Sequence, residues 1–229
     1  MRCFEFLVKS PGASDAPSKE SLKEIFSDEA KIKSYDPLSG HITFETSQSV
    51  NVVENILQER FSQVKLIGQS SLSLTQAAGV AIIGGKARGI IRLLEDESGL
   101  HVEGTVTGLQ KGPYSVSINE YGDISNSCIS TGDPISKSGD KTPCGLLGEI
   151  ESDGSNDTKF VLNSSGLSFI ECIGRSLVVQ NNDARIACGI VGRSSGVSEN
   201  NKKICACDGT VIWEEQVFGP YAVAPQTSE

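Results

Sequence analysis

From Cys3 to Lys9 the chain sets Phe4, Phe6 and Val8 against Glu5, the period-two pattern of a strand with one apolar face. Pro11, Gly12 and Pro17 end that run, and Ser18 can cap a helix whose Leu22, Ile25 and Phe26 share one side. Two further apolar-alternating runs, Ala30 to Tyr35 and His41 to Glu45, predict a hairpin turning at Pro37-Leu38-Ser39-Gly40. Val53, Ile56, Leu57 and Phe61 recur at helical spacing, and Val64 to Ile67 supplies a closing strand. Strand–helix–strand–strand–helix–strand is the order of a ferredoxin-like α+β domain, here residues 1–70.

The pattern changes after Gln69. Short β-rich runs now recur between Gly-, Asn-, Asp- and Ser-containing turns: "GVAIIGG", "RGIIRLLE", "LHVEGTVTGL", "YSVSINEYG", "TKFVLNS", "GRSLVVQ" and "IACGIVG". That spacing predicts an antiparallel all-β sandwich or barrel over residues 71–195. Ser194 to Lys203 is polar and contains glycine, which reads as a mobile linker leading into a flexible tail, residues 196–229.

Composition narrows the function. A formal net charge of -9 disfavours a nucleic-acid backbone or an anionic membrane as partner. No apolar run is long enough to span a bilayer, and Arg2 falls where a signal core would begin, so the expected location is cytoplasmic, with thiols mostly reduced. Seven cysteines do not pair off, and each needs its own account. There are only two histidines, His41 and His101.

Three stretches carry a resemblance. "NEYGD" (Asn119–Asp123), "IGRSLVV" (Ile173–Val179) and "ARIACGIVG" (Ala184–Gly192) resemble the Greek-key barrel of copper/zinc superoxide dismutase. "ICACDGTVIWEE" is foreign to that enzyme and resembles the tail of the copper chaperones for superoxide dismutase, whose first domain the 1–70 segment also matches. The resemblance implies a barrel disulfide between Cys128 and Cys188, with Arg185 hydrogen-bonded to the loop that bears it. It also implies a face around Gly122, Ile173, Gly174, Ile190, Gly192 and Arg193 that forms a heterodimer with copper/zinc superoxide dismutase, or a homodimer. By the same likeness, Cys172 lies near that face. Cys144 has no role on this reading.

The sequence departs from the enzyme where its metals would sit. Dismutation needs copper held by imidazoles beside a zinc site. The positions matching two copper-ligating histidines are Ser117 and Asn119, and Gln180 follows "GRSLVV". Gly132 to Thr142, matching the zinc-ligand stretch, has no imidazole. His101 lies far along the chain and His41 in the first domain, so neither restores a ligand set. No zinc site and no dismutase activity are expected. The first domain departs too, because the loop that carries a thiol pair in these chaperones, here Lys9 to Ser18, lacks cysteine, methionine and histidine. Cys3 belongs to the strand before it. The domain is expected to dock or solubilise without binding copper.

Cys205 and Cys207 remain. Two thiolates suit copper(I), and an open two-sulfur site can pass its ion to a better-furnished acceptor. Lys202 and Lys203 favour the thiolates, and Asp208-Gly209 offers a turn that can bring both sulfurs to one ion. A disulfide across one intervening residue is strained and therefore oxidising, which also suits thiol exchange with a client. Two different readings compete with transient copper(I) delivery: a partner that binds the dismutase without giving metal, and a thiol oxidoreductase with no copper role.

Overall fold

A computed structural model describes residues 1–10, 17–26, 30–71, 77–139, 141–155, 157–182 and 184–200. These fall into two units: 1–78 together with 194–200, and 79–193.

In the first unit, β1 (Arg2–Lys9), α1 (Lys19–Phe26), β2 (Ala30–Asp36), β3 (His41–Thr46), α2 (Val50–Gln58) and β4 (Gln63–Ser71) follow the ferredoxin-like order. They build an antiparallel sheet in the order β2-β3-β1-β4. Ser18 Oγ accepts from the Ser21 N–H at 3.1 Å, and Ser49 Oγ from the Val52 N–H at 3.3 Å, each satisfying a donor in a helix's first turn. The β2–β3 hairpin closes with Gly40 at φ +74°, a left-handed position that suits glycine. Phe4, Phe6 and Phe44 form edge-on pairs, and Phe26 of α1 lies 4.5 Å from Phe44, so this face of the sheet carries the helices.

Cys3, Glu5 and Leu7 point to the other face by strand alternation. A strand buried on one side only should leave Glu5 in water, yet Glu5 is 6% exposed and Leu7 and Ile67 are buried together. The cover is residues 194–200, the stretch expected to be a mobile linker. The Gln69 N–H donates to the Ser195 carbonyl at 3.1 Å, Gln69 Nε2 to Ser194 Oγ at 3.2 Å and Asn200 Nδ2 to the Ile67 carbonyl at 3.2 Å. The Ser198 N–H donates to Glu5 Oε2 at 2.6 Å. Polarity fitted this stretch equally to solvent or to a strap bonded to a sheet.

The second unit contains β5 (Ala78–Gly85), β6 (Arg88–Asp96), β7 (Gly99–Thr107), β8 (Gly112–Asn119), β9 (Leu146–Ser152), β10 (Thr158–Ser164), α3 (Phe169–Cys172), β11 (Ser176–Asn181), β12 (Ala184–Ile190) and β13 (Gly192–Arg193). The sheet order β10-β7-β6-β5-β12-β11-β8-β9 curls until its two ends meet, giving a nearly closed antiparallel barrel. Inward side chains of Ile83, Ile91, Leu93, Leu100, Val116, Ile118 and Leu177 are fully buried and fill it. The jump from β8 to β11 across the sheet is the non-local connection of a Greek key. The barrel is of the copper/zinc superoxide dismutase type.

Candidate functional site: an imidazole-free barrel site and its disulfide loop

The end of β8 is where the resemblance sets the enzyme's copper. There Ser117 Oγ donates to Asn119 Oδ1 at 2.7 Å, and Asn119 Nδ2 donates to Thr131 Oγ1 at 3.1 Å and to the Gly132 carbonyl at 2.7 Å. Asn119 and Thr131 are buried, so these bonds satisfy groups that water cannot reach. Asn119 thus ties the end of β8 to the loop that follows it. Gln180, on β11, instead turns its amide back to the Asn182 carbonyl at 2.8 Å.

Arg185 on β12 completes the network. Its Nη1 donates to the carbonyls of Cys128 at 2.6 Å and Ile129 at 2.8 Å and to Thr131 Oγ1 at 2.7 Å, while Nη2 donates to the Gly132 carbonyl at 2.6 Å. A planar guanidinium fits this fan of acceptors in a way one ammonium cannot. Cys128 and Cys188 are joined by a disulfide and packed with Val178. At a sequence separation of 60, the chain-entropy contribution of this cross-link is about 4 kcal/mol. Cys128 sits at φ 69°, left-handed, so the disulfide loop makes a sharp turn that its carbonyl bonds hold in place.

Ser117 and Asn119, which the resemblance sets at copper-ligand positions, do not fit that metal. A hydroxyl and an amide saturated by their neighbours, beside a guanidinium whose field repels a cation, are a poor ligand set. Among the described residues, no group of three or more His, Cys, Asp or Glu is placed to hold a metal ion. His101 is engaged elsewhere, with Nε2 2.9 Å from Asp96 Oδ1 and Nδ1 2.6 Å from Asn163 Oδ1. His41 Nδ1 lies 3.2 Å from Glu5 Oε1 in the first unit.

The candidate docking residues divide. Gly122, Gly174 and Ile190 converge: a Cβ built on Gly122 would strike the Gly174 carbonyl oxygen and lie 3.9 Å from Ile190 Cγ2. The Gly174 N–H donates to the Val191 carbonyl at 2.9 Å, locking the turn after α3 to the end of β12. Ile173 is half-buried just before that turn, and Gly192 and Arg193 pair with Val80 and Gly79 of β5. Exposed apolar side chains that the sequence reading did not single out include Tyr121 at 59% and Ile129 at 70%. Their signal was present, since Tyr121 adjoins Gly122 and Ile129 follows the disulfide cysteine.

The remaining thiols are set by burial. Cys172 is fully buried, donates to the Ser168 carbonyl and has its pKa pushed up to about 12, by burial first and then by Glu171 and Glu95. Cys3 is raised by burial and by Glu45, so neither thiol is disposed to ionise. Cys144 is half-buried, with Sγ 3.4 Å from the Ile135 carbonyl. Cys205, Cys207 and most of the Lys9–Ser18 loop lie outside the described residues.

A dismutase-type barrel with no imidazole at the end of β8, following a ferredoxin-like domain, defines a class of protein distinct from the enzyme. The copper/zinc superoxide dismutase family matches residues 87–191. Beyond the barrel, the chain is 32% identical over 205 residues to the copper chaperone for superoxide dismutase of Rattus norvegicus, covering 76% of this chain and 75% of that protein. The Homo sapiens protein of that name is 31% identical over 194 residues, 72% and 71% of the two chains. The chloroplastic/cytosolic form from Arabidopsis thaliana is 35% identical over 179 residues, 73% of this chain and 56% of that one. The chain belongs to the copper chaperone for superoxide dismutase family. No helix among the described residues is long and apolar enough to cross a membrane.

Proposed function

We propose that this protein is a copper chaperone that docks on copper/zinc superoxide dismutase and hands it copper(I) from Cys205 and Cys207. One observation carries the reading most directly. The barrel keeps the dismutase strand frame, while Ser117 and Asn119, which the resemblance sets at copper-ligand positions, are tied up in hydrogen bonds with Thr131 and, through it, Arg185. A shape without its metals is useful for recognition. The relatives named as chaperones match most of the chain, which supports the same reading.

In this function, the surface around Gly122, Ile173, Gly174, Ile190, Gly192 and Arg193 copies the client's own pairing face, so the same patch serves a heterodimer or a homodimer. Copper is cargo, held transiently by the two thiolates. The pair also acts in its oxidised state. A tail disulfide accepts attack by a client thiolate, passes through a mixed disulfide and leaves as a dithiol. The client's two thiols lose two protons and two electrons and become its disulfide. Copper transfer and oxidation thus belong to opposite redox states of one pair. The barrel has no dismutase activity of its own, the first domain binds no copper(I), and the setting is cytoplasmic.

The test is a Cys205→Ser/Cys207→Ser variant mixed with metal-free client and copper(I). We expect the variant to co-elute with the client while failing to raise its activity. Full activation by the variant would refute delivery by the tail. A wild-type protein that binds the client but holds no copper beyond a chain ending at Lys203 would favour the pure binding partner.

A further inference from the structure

The strap of residues 194–200 has a chemistry that polar linkers lack. Its Ser198 N–H is bonded to Glu5, a carboxylate 6% exposed, and Glu5 Oε1 is in turn 3.2 Å from His41 Nδ1. A carboxyl taken out of water without partners costs several kcal/mol, and the strap that covers Glu5 brings the compensating donor with it. The strap closes on itself as well, because the Gly196 N–H donates to Glu199 Oε2 at 2.8 Å. Gly68 shows how close the seat is: a Cβ there would lie 2.6 Å from the Gly196 carbonyl oxygen and 3.1 Å from Glu5 Oε2.

We infer that the first domain is a clasp for the root of the tail, with Glu5 and Gln69 as positioning residues that shorten the leash of the Cys205–Cys207 pair. This rests on the tail's delivering role proposed above. With the strap seated, the last bonded residue among the described ones is Asn200, five residues before Cys205; with it released, the leash starts at Arg193, twelve residues before Cys205. Whatever their conformation, five residues can reach at most about 18 Å and twelve at most about 43 Å. Release therefore enlarges the volume open to the dithiol, and its effective concentration falls as that volume grows. A domain whose loop has no copper-binding thiols thereby retains a part in delivery, through its sheet.

Gly68→Ala in the full-length chain tests this, since the added methyl meets the strap and the Glu5 carboxylate but no other part of the sheet within the nearest contacts. We expect amide exchange at Ser198 and Gln69 to accelerate at least tenfold, with the melting curve of the first domain little changed. Client activation by copper(I)-loaded protein should slow at least twofold. Glu5→Gln, which keeps an acceptor for Ser198, should retain most protection and rate, whereas Glu5→Leu should lose both. Unchanged exchange in Gly68→Ala overturns the clasp. Faster exchange with an unchanged or increased activation rate overturns its positioning role. If wild-type protein never activates the client, the delivery reading fails instead, and the exchange measurement still decides whether the strap is held.

Discussion

Arg185 donates a 2.6 Å hydrogen bond to the carbonyl of Cys128, a residue far away in sequence but directly bonded through sulfur to Cys188 on the same strand as Arg185. The disulfide and the guanidinium therefore fasten one loop to β12 at two points. In a metal-bearing barrel, a coordinated ion can also hold such a loop. Here the Asn119–Thr131–Arg185 network performs that structural task with charge-assisted and neutral hydrogen bonds.

Replacing Arg185 by Lys should destabilise the barrel although the charge is kept. One ammonium on a flexible stem cannot reach the carbonyls of Cys128, Ile129 and Gly132 and the Thr131 hydroxyl together. Buried acceptors left without donors cost about 2–3 kcal/mol in sum. The expected result is a lower urea midpoint at constant slope, with Arg185→Ala lower still. A midpoint matching wild type would show that the loop is held by the disulfide alone.

A second prediction concerns acid. Glu171 accepts from the Ser168 N–H at 2.9 Å and from Lys137 Nζ at 2.9 Å, and these bonds hold its pKa down to about 2 from 4.5. Its folded value lies below the unfolded one, so the carboxylate favours the folded state. That contribution is complete above about pH 4.5 and is lost as pH falls toward about 2. Glu171→Gln should melt below wild type by a constant margin at neutral pH, with the margin closing across that window. The side chain is 37% exposed, so added salt should narrow the margin as well. A margin independent of pH would assign Glu171 a packing role only.

The parts that were legible in the sequence obeyed local rules. Phe4, Phe6 and Val8 gave the first strand, and Ser18 marked its helix, because periodicity and capping act within a few residues. β9 was missed. Leu147 and Ile150 are its buried apolar residues, but Gly148 shifts their spacing off strict alternation and Glu149 and Glu151 dilute the apolar signal. α3 spans four residues, too few to show a helical period. The Cys128–Cys188 pairing could be named only through resemblance, since spacing among seven cysteines does not select a partner. The Ser117–Asn119–Thr131 network and the strap over Glu5 were invisible for a related reason. Each joins polar residues from separate segments, and polarity alone does not distinguish a solvated group from a buried, satisfied one.

The proposed docking face offers the sharpest substitution. A methyl on Gly122 has no room, because the Gly174 carbonyl oxygen occupies the space where Cβ would go. The carbonyl belongs to a turn whose N–H is bonded to Val191, so it cannot retreat without disturbing the end of β12 and Ile190 beside it. Gly122→Ala should therefore reshape the patch while leaving Cys205 and Cys207 untouched. We expect binding to metal-free superoxide dismutase to weaken at least tenfold by calorimetry, with a fall in any homodimer measured by ultracentrifugation. Gly84→Ala is the matched control: nothing lies within 4 Å of its Cβ position, so a methyl there should change stability by less than about 0.5 kcal/mol and binding not at all. Equal binding by Gly122→Ala and Gly84→Ala would move the client's contact to another part of the barrel, and Tyr121 and Ile129 would be the next side chains to truncate.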